Sequence, residues 1–377
     1  MVINMEIAAA LLGALLLYRL QKFLYSRFWD RNLTVELSLS EKQATEGEEL
    51  TLNETVINQK LLPIPALKIK YMTSRHLSFL DMKDTEVTDN TYRNDLVSVM
   101  MYQKLTRRIP FVCSKRGYYS ISRITFVCSD LLFESDLVAG ENLDLHLYVY
   151  PRPVDSLRME VPFQNMMGTV LTKRFINEDP FEFKSIREYQ SYDTMKTINW
   201  KASAKTGSLM VNVYDHTASQ QIKILLNLES DTIWLYEDLQ EESIRLAATF
   251  AHAFIEQGIP VSLYTNGLDV ISKEVLHVPA GSGKNHLRTI NETLARIDAL
   301  SPLPSFTSTV GGELENGNPK DYLLLISSYQ RLELQERLEH LSRSHIDFMW
   351  IVPANREVRL TVEGSLLSHV QVWETED

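Results

Sequence analysis

The hydrophobic period changes twice along this chain, so no single layer of secondary structure accommodates the whole of it. Up to Tyr18 the sequence is one apolar run, "VINMEIAAALLGALLLY", in which only Asn4 and Glu6 are strongly polar. From Leu33 the period drops to two, and Leu33, Val35, Leu37 and Leu39 alternate with polar residues. From residue 220 short apolar runs alternate with stretches of period 3.6.

The first pattern reads as a membrane anchor. Seventeen residues at about 1.5 Å each make roughly 25 Å, a little short of a hydrocarbon core of about 30 Å. Leu20, Phe23, Leu24, Phe28 and Trp29 continue the pattern, so the helix is expected to run on to about residue 31. Arg19, Lys22, Arg27 and Arg31 follow the apolar run and no side-chain cation precedes it. A cleaved leader carries its basic residues before the run. The positive-inside rule then places the C-terminal bulk in the cytoplasm and the N-terminus outside. A shorter helix lying in the membrane interface is the alternative.

The second pattern reads as a β-sandwich. "ELTLNETVIN", "ALKIKYM", "VSVMMYQKL", "IPFVCSK", "YYSISRITFVCS" and "LHLYVYP" are strand-like, and Glu46-Gly47 and Arg116-Gly117 supply turns between them. No helical stretch and no catalytic pattern stands between residues 33 and 150.

The third pattern is that of a parallel α/β sheet. "QIKILLNLE", "IPVSLYTN", "DYLLLISS" and "IDFMWIVP" are strands. "LYEDLQEESIRLAATFAHAFIEQG", "NHLRTINETLARIDAL" and "LELQERLEHLSRS" are the helices between them. Such alternation buries the strands on both faces and gathers binding sites at the strands' carboxyl ends. Here those tips are residues 227–231, 265–269, 327–329 and 353–356.

Composition narrows the function classes. The net charge is −11, which disfavours a nucleic-acid partner. Cys113 and Cys128 lie in strand-like runs without metal-type spacing, as buried reduced thiols do.

Among the motifs, Asn227, Glu229 and Asp231 place oxygen side chains at alternate positions on the first α/β strand tip. A hard cation such as Mg²⁺ takes ligands of that kind, while solvated polar residues at a strand end need none. "PAGSGKNHL" lacks the first Gly and the final Ser or Thr of a phosphate loop, and "KTG" at 205–207 lacks its serine-enzyme partner motifs. His340 and His345 point about 140° apart on a helix and make no zinc pair.

The densest stretch is "FKSIREYQSYDTMKTINWKASAKTGSLMVNVYD", residues 183–215. It sets Arg187, Glu188, Asp193, Lys196, Lys201 and Lys205 around Tyr189 and Trp200. Aromatic and Arg side chains are favoured interface anchors, and the same charges also suit a self-paired corner fastening two domains. Within it, "SIREYQSYDTMKTINWKASAKTG" resembles the signature of the bacterial family known as domain of unknown function 58. Arg187, Glu188, Tyr189, Asp193, Trp200, Lys201, Ser203, Ala204 and Gly207 fall on that pattern. "KRGYYSISRITFVCSDLLF" and "YVYPRP" are similar to further stretches of the family. The chain departs from it at Tyr192, where a Gly is usual, and at Lys196 and Lys205, where arginines are usual. The resemblance implies that the C-terminal part is von Willebrand factor A-like. Asn227 then stands where that fold's metal-adhesion motif begins with Asp, and Glu229 and Asp231 replace its serines.

The expected organisation has four parts. Residues 1–31 form a transmembrane anchor, 32–152 an immunoglobulin-like all-β sandwich, 153–215 the joining signature segment, and 216–377 a von Willebrand factor A-like α/β domain. The resemblance implies a membrane-anchored, non-catalytic adaptor or assembly factor. Its implied partners are a MoxR-type AAA+ ATPase and a membrane transglutaminase-like protein, with no cofactor. The rival is a Mg²⁺-dependent hydrolase with a degenerate metal site at Asn227, Glu229 and Asp231. A third reading is an envelope-facing scaffold of reversed topology.

Overall fold

A computed structural model describes residues 2–81, 85–88, 90–176, 183–190, 193, 195–214, 221–231, 236–299, 301–315, 321–358, 360–362 and 364–375. The chain divides into two compact units, Met1–Arg152 and Pro153–Asp377.

The first unit opens with helix α1 (Val2–Phe28). Its strands are β1 (Leu33–Leu39), β2 (Gln43–Thr45), β3 (Glu49–Asn58), β4 (Ile64–Ser74), β5 (Leu77–Phe79), β6 (Thr85–Val87), β7 (Asn90–Val99), β8 (Lys104–Cys113), β9 (Gly117–Ser129) and β10 (Asp136–Tyr150). They form two sheets, ordered β1-β3-β8-β5 and β2-β10-β9-β4-β7-β6. The alternation read from the sequence is the burial pattern: on β3, Leu50, Leu52, Val56 and the polar Glu54 and Asn58 all turn inward. Leu52, Ile64, Leu67, Ile69, Phe111, Ile124 and Leu147 fill the space between the sheets. Each contributes about 1.5–3 kcal/mol by leaving water.

The predicted transmembrane anchor is not borne out. Among the described residues no helix is long and apolar enough to cross a membrane. The apolar run ends at Tyr18, and Arg19, Gln21 and Lys22 follow it within the second half of α1. Its last turns belong to the sandwich instead. Tyr25 and Trp29 are buried in the β core. The Tyr25 hydroxyl donates to the Pro63 carbonyl at 2.8 Å. The Lys60 ammonium donates to the carbonyls of Trp29 and Arg31 at 2.7 Å each, which satisfies acceptors that a helix end leaves open. Tyr18 pairs through its hydroxyl with Glu134 on the loop after β9. The single-pass placement, with a cytoplasmic bulk and an outer N-terminus, falls with the anchor, and so does its reversed-topology variant.

The second unit begins with α2 (Ser156–Ile176), followed by a hairpin of β11 (Phe183–Glu188) and β12 (Met210–Tyr214) enclosing α3 (Trp200–Thr206). The rest is β13 (Ile222–Asn227), α4 (Glu237–Glu256), β14 (Val261–Asp269), β15 (Val275–Gly281), α5 (Lys284–Ala295), β16 (Ile297–Asp298), α6 (Phe306–Glu315), β17 (Tyr322–Ser327), α7 (Leu332–Arg343), β18 (Phe348–Ala354) and β19 (Val370–Glu374). The sheet is ordered β15-β14-β13-β17-β18-β19. All its neighbours are parallel except β15, and β16 pairs antiparallel with β14.

Both faces of this sheet are apolar because both are covered. Ile222, Ile224, Leu226, Leu324 and Ile326 pack with Ile244, Phe250 and Phe254 of α4 and Ile290 and Leu294 of α5. The intervening Leu225, Leu323 and Leu325 pack with Phe306 of α6 and Leu334, Leu338 and Leu341 of α7. Helix α2 joins the first of these cores through Met159, Met166 and Val170. The chain leaves β13 for β14 on one side and later returns to β17 on the other. The tips of β13, β14 and β17 therefore flank the point where connections diverge, which in open sheets is the usual crevice for a ligand.

Candidate functional site

Two places concentrate the residues singled out from sequence. One is the β11–β12 hairpin. Arg187 grips Asp193 with two parallel hydrogen bonds, Nη1 to Oδ2 and Nη2 to Oδ1, both 2.7 Å. Asp193 Oδ2 also accepts from the Gln190 amide at 2.8 Å, closing the turn after β11. The Arg187 guanidinium beside it holds the Asp193 carboxyl below its ordinary range.

Helix α3 is short, yet both of its ends are capped. Asn199 stands at the N-cap and its Oδ1 accepts from the Ala202 amide at 3.0 Å. Gly207 closes the other end at φ 75°, a left-handed conformation that costs glycine little, and its amide reaches the Ser203 carbonyl at 3.0 Å. Asn199 Nδ2 also donates to Asn212 Oδ1 at 2.7 Å, and Ser203 Oγ accepts from the Met210 amide at 2.8 Å. These bonds fasten α3 to β12, with Ile198 and Val211 buried beneath.

On this scaffold Trp200 is 64% exposed and Met195 71% exposed. Glu188, Lys196, Lys201 and Lys205 are exposed too, and Tyr189 is half-buried. Of the predicted signature residues, then, only Arg187 and Asp193 are brought together as an ion pair in the described geometry. The position of Tyr192 lies outside the described residues.

The other place is the crevice above β13, β14 and β17. Asn227 is buried there. Its Oδ1 accepts from the Glu229 amide at 2.9 Å and from Asn266 Nδ2 at 3.2 Å, and its Nδ2 donates to Ser327 Oγ at 3.1 Å. Asn266 Oδ1 accepts from the Leu228 amide at 3.0 Å. Glu229 Oε2 accepts from the Phe306 amide at the start of α6 at 3.0 Å. Both Asp231 oxygens accept from the Gln330 amide just before α7, at 3.0 and 2.9 Å. Burial raises the carboxyls of Glu229 and Asp231 above their ordinary range, against the pull of these amides.

The three oxygens expected to converge on a cation are thus directed to three separate backbone amides. Glu229 and Asp231 sit at the entries of two helices, where a carboxylate is stabilised by free N–H groups. Among the described residues no group of three or more His, Cys, Asp and Glu side chains is arranged to hold a metal. Sequence reasoning missed the partners in this network, Asn266, Ser327 and Gln330, and the cap Asn199. An Asn directly before "WKASAK" is an N-cap signal and was there to be read. The cross-strand partners carry no such local mark.

Residues 185–360 match the family model described as protein of unknown function DUF58. The matched stretch takes in the α3 display and the strand-tip network, and begins after the sandwich. The chain is also similar to the uncharacterized protein YeaD of Bacillus subtilis (strain 168). The two are 22% identical over 297 residues, covering 78% of this chain and 68% of YeaD. Among solved structures, one likeness is to the CARDB domain of the PF1109 protein from Pyrococcus furiosus, determined in complex with di-metal ions. It has 17% identity and a TM-score of 0.21, and covers 31% of this chain and 91% of that one. Another is to Spo0M, a sporulation control protein of Bacillus subtilis, with 12% identity and a TM-score of 0.19, covering 42% and 58%. At such TM-scores neither likeness informs fold or function. The DUF58 match agrees with the resemblance seen in the signature and carries no activity with it.

Proposed function

We propose that this chain is a non-catalytic adaptor that holds a protein partner through the α3 surface, with a MoxR-type AAA+ ATPase as the expected partner. The observation that supports this reading is the exposed Trp200 on a helix capped at both ends. A large aromatic group in water is costly unless something covers it, and Trp is the commonest residue type at interface hot spots. Here its backbone is already ordered by Asn199, Ser203 and Gly207, so docking demands little further loss of freedom. Lys196, Lys201 and Lys205 beside it give the surface a positive rim on an otherwise acidic chain. Reading the second unit as von Willebrand factor A-like is consistent with its mainly parallel sheet and two helical layers, and that architecture suits a binding module.

The test is co-purification of the full chain with the ATPase, comparing wild type with Trp200→Ala and Lys196→Glu. Both variants should retain the wild-type melting profile and lose the partner. Undiminished recovery by folded variants would remove this surface from the interface. The Mg²⁺-dependent hydrolase ranks second, because the side-chain oxygens it needs already serve backbone amides. A rise in melting temperature at millimolar Mg²⁺ would reinstate it.

A further inference from the structure

The sandwich holds a charged cluster that the adaptor reading does not use. Glu54 on β3 points between the sheets and is 1% exposed. Neither of its carboxyl oxygens has a hydrogen-bond partner. Arg107 stands opposite it on β8. Its Nη1 lies 3.7 Å from Glu54 Oε1 and lacks a hydrogen-bond partner too. The other arm of the same guanidinium, Nη2, lies 3.5 Å from Asp95 Oδ1 on β7, in the opposite sheet. Asp95 is already held firmly, by Arg93 Nε at 3.1 Å and Nη2 at 2.7 Å, and by the Tyr71 hydroxyl at 3.3 Å. Arg93 is fixed in turn by the Asp81 carbonyl at 3.0 Å. Arg107 therefore reaches a carboxylate on each sheet and is closely bonded to neither.

We propose that Glu54, Arg107 and Asp95 form a proton-operated latch between the two sheets of the sandwich. With Glu54 protonated, Arg107 pairs across the sandwich with Asp95. With Glu54 ionised, its proton released to solvent, Arg107 turns back to Glu54 on its own sheet and the cross-sheet tie loosens. A buried carboxylate without hydrogen bonds is poorly tolerated, so the neutral form is favoured until solvent basicity prevails. Among the described residues, the titratable and charged groups facing Glu54 are Arg107 from β8, Asp95 and Arg93 from β7, and Tyr71 from β4. Burial lifts the Glu54 carboxyl to about 7, with Asp95 adding to the rise and Arg107 and Arg93 opposing it. The switch thus falls near neutrality.

Its sign is fixed by proton binding. Between the ordinary Glu range and about 7 the folded chain keeps a proton that the unfolded chain has lost. The stabilisation is complete at acid pH and is lost as pH rises through neutrality. The unfolding equilibrium constant of the full chain should rise by on the order of a hundredfold from about pH 5 to about pH 8 from this group.

Three measurements on the full chain decide it. Carboxyl carbon resonances of glutamate-labelled wild type should include one that titrates near neutrality and is absent from Glu54→Gln. Urea unfolding across the same pH range should slope in wild type and lose that component in Glu54→Gln. Amide exchange in β7 and β8 should quicken above the midpoint in wild type and not in Arg107→Gln. A Glu54 resonance titrating in the ordinary carboxylate range overturns the proposal. So does a β7 exchange rate that ignores the titration, which would leave Glu54 buried and no latch. The exchange readout on β7 needs only wild type, so a variant that fails to fold does not shield the idea.

Discussion

Arg187 and Asp193 are joined by two hydrogen bonds of equal length, 2.7 Å each, across a separation of six residues. A guanidinium offers two parallel donors and a carboxylate two acceptors, so the pair fixes orientation as well as distance. It therefore defines the turn that leads from β11 toward the Trp200 display.

The pair should be visible by titration. The Asp193 carboxyl lies below its ordinary range because of Arg187. Its contribution to stability is present above the unfolded value and lost as pH falls through the folded one. Carboxyl resonances in wild type should show Asp193 titrating at lower pH than a free aspartate. In Arg187→Ala the midpoint should return to the ordinary value. Arg187→Lys should recover part of the shift, since a point charge replaces the fork.

Trp200→Ala should barely alter stability. The side chain is mostly in water, and surface changes away from caps and ion pairs stay within about 0.5 kcal/mol. Asn199→Ala removes the cap of α3 and should cost about 1 kcal/mol or somewhat more. Val211→Ala, in the buried layer beneath, should cost more again. Urea midpoints of the three variants in one buffer check the ranking.

The strands and long helices were legible because burial imposes a period. Ile222 to Asn227 is buried at every position, as its nearly continuous apolar run suggests, and α4 turns Ile244, Ala247, Ala251 and Phe254 to the core at spacings of three and four. Helix α2 was not anticipated, although Met159, Phe163, Met166, Met167 and Val170 make an apolar stripe. Pro162 inside it and a mixed polar face obscured it, because a Pro past the first turn removes a helix hydrogen bond and reads as a stop. The N-terminal run misled for a different reason. Apolar content alone did not show that Tyr25 and Trp29, at the far end of the expected anchor, belong to a protein core, while Leu11, Leu12 and Leu15 to Leu17 stay exposed. At the crevice, Asn227, Glu229 and Asp231 were found as a group, but periodicity cannot say that each faces a different amide.

Cys113 and Cys128 are fully buried, and desolvation pushes both thiols up to about 12. The thiolate is the reactive form, so neither group should react in the folded chain near neutral pH. A thiol reagent such as dithionitrobenzoate should give no signal with native protein and both equivalents in denaturant. Rapid native labelling of either would show that the β core opens locally, at β8 for Cys113 or β9 for Cys128.

Asn227 offers the sharpest contrast between adaptor and hydrolase. Removing its amide in Asn227→Ala leaves the Glu229 amide without its acceptor and takes one partner each from Asn266 Nδ2, which keeps the Pro304 carbonyl, and Ser327 Oγ, which keeps Tyr329. That should cost about 1–3 kcal/mol, because a polar group left without its partner bears its desolvation penalty. Asn227→Asp keeps an acceptor for the Glu229 amide but loses the donor to Ser327, and adds a third acid to a site where Glu229 and Asp231 are already resisted by burial. It should therefore be destabilised more at pH 8 than at pH 5, since the added group must ionise there. Urea unfolding at both pH values, with and without millimolar Mg²⁺, separates the possibilities. If the strand tip is structural, Mg²⁺ leaves the wild-type midpoint unchanged and restores little in Asn227→Asp. A wild-type midpoint that climbs with Mg²⁺ would mean the oxygens turn from their amides to a cation, and the crevice would have to be reread as a metal centre.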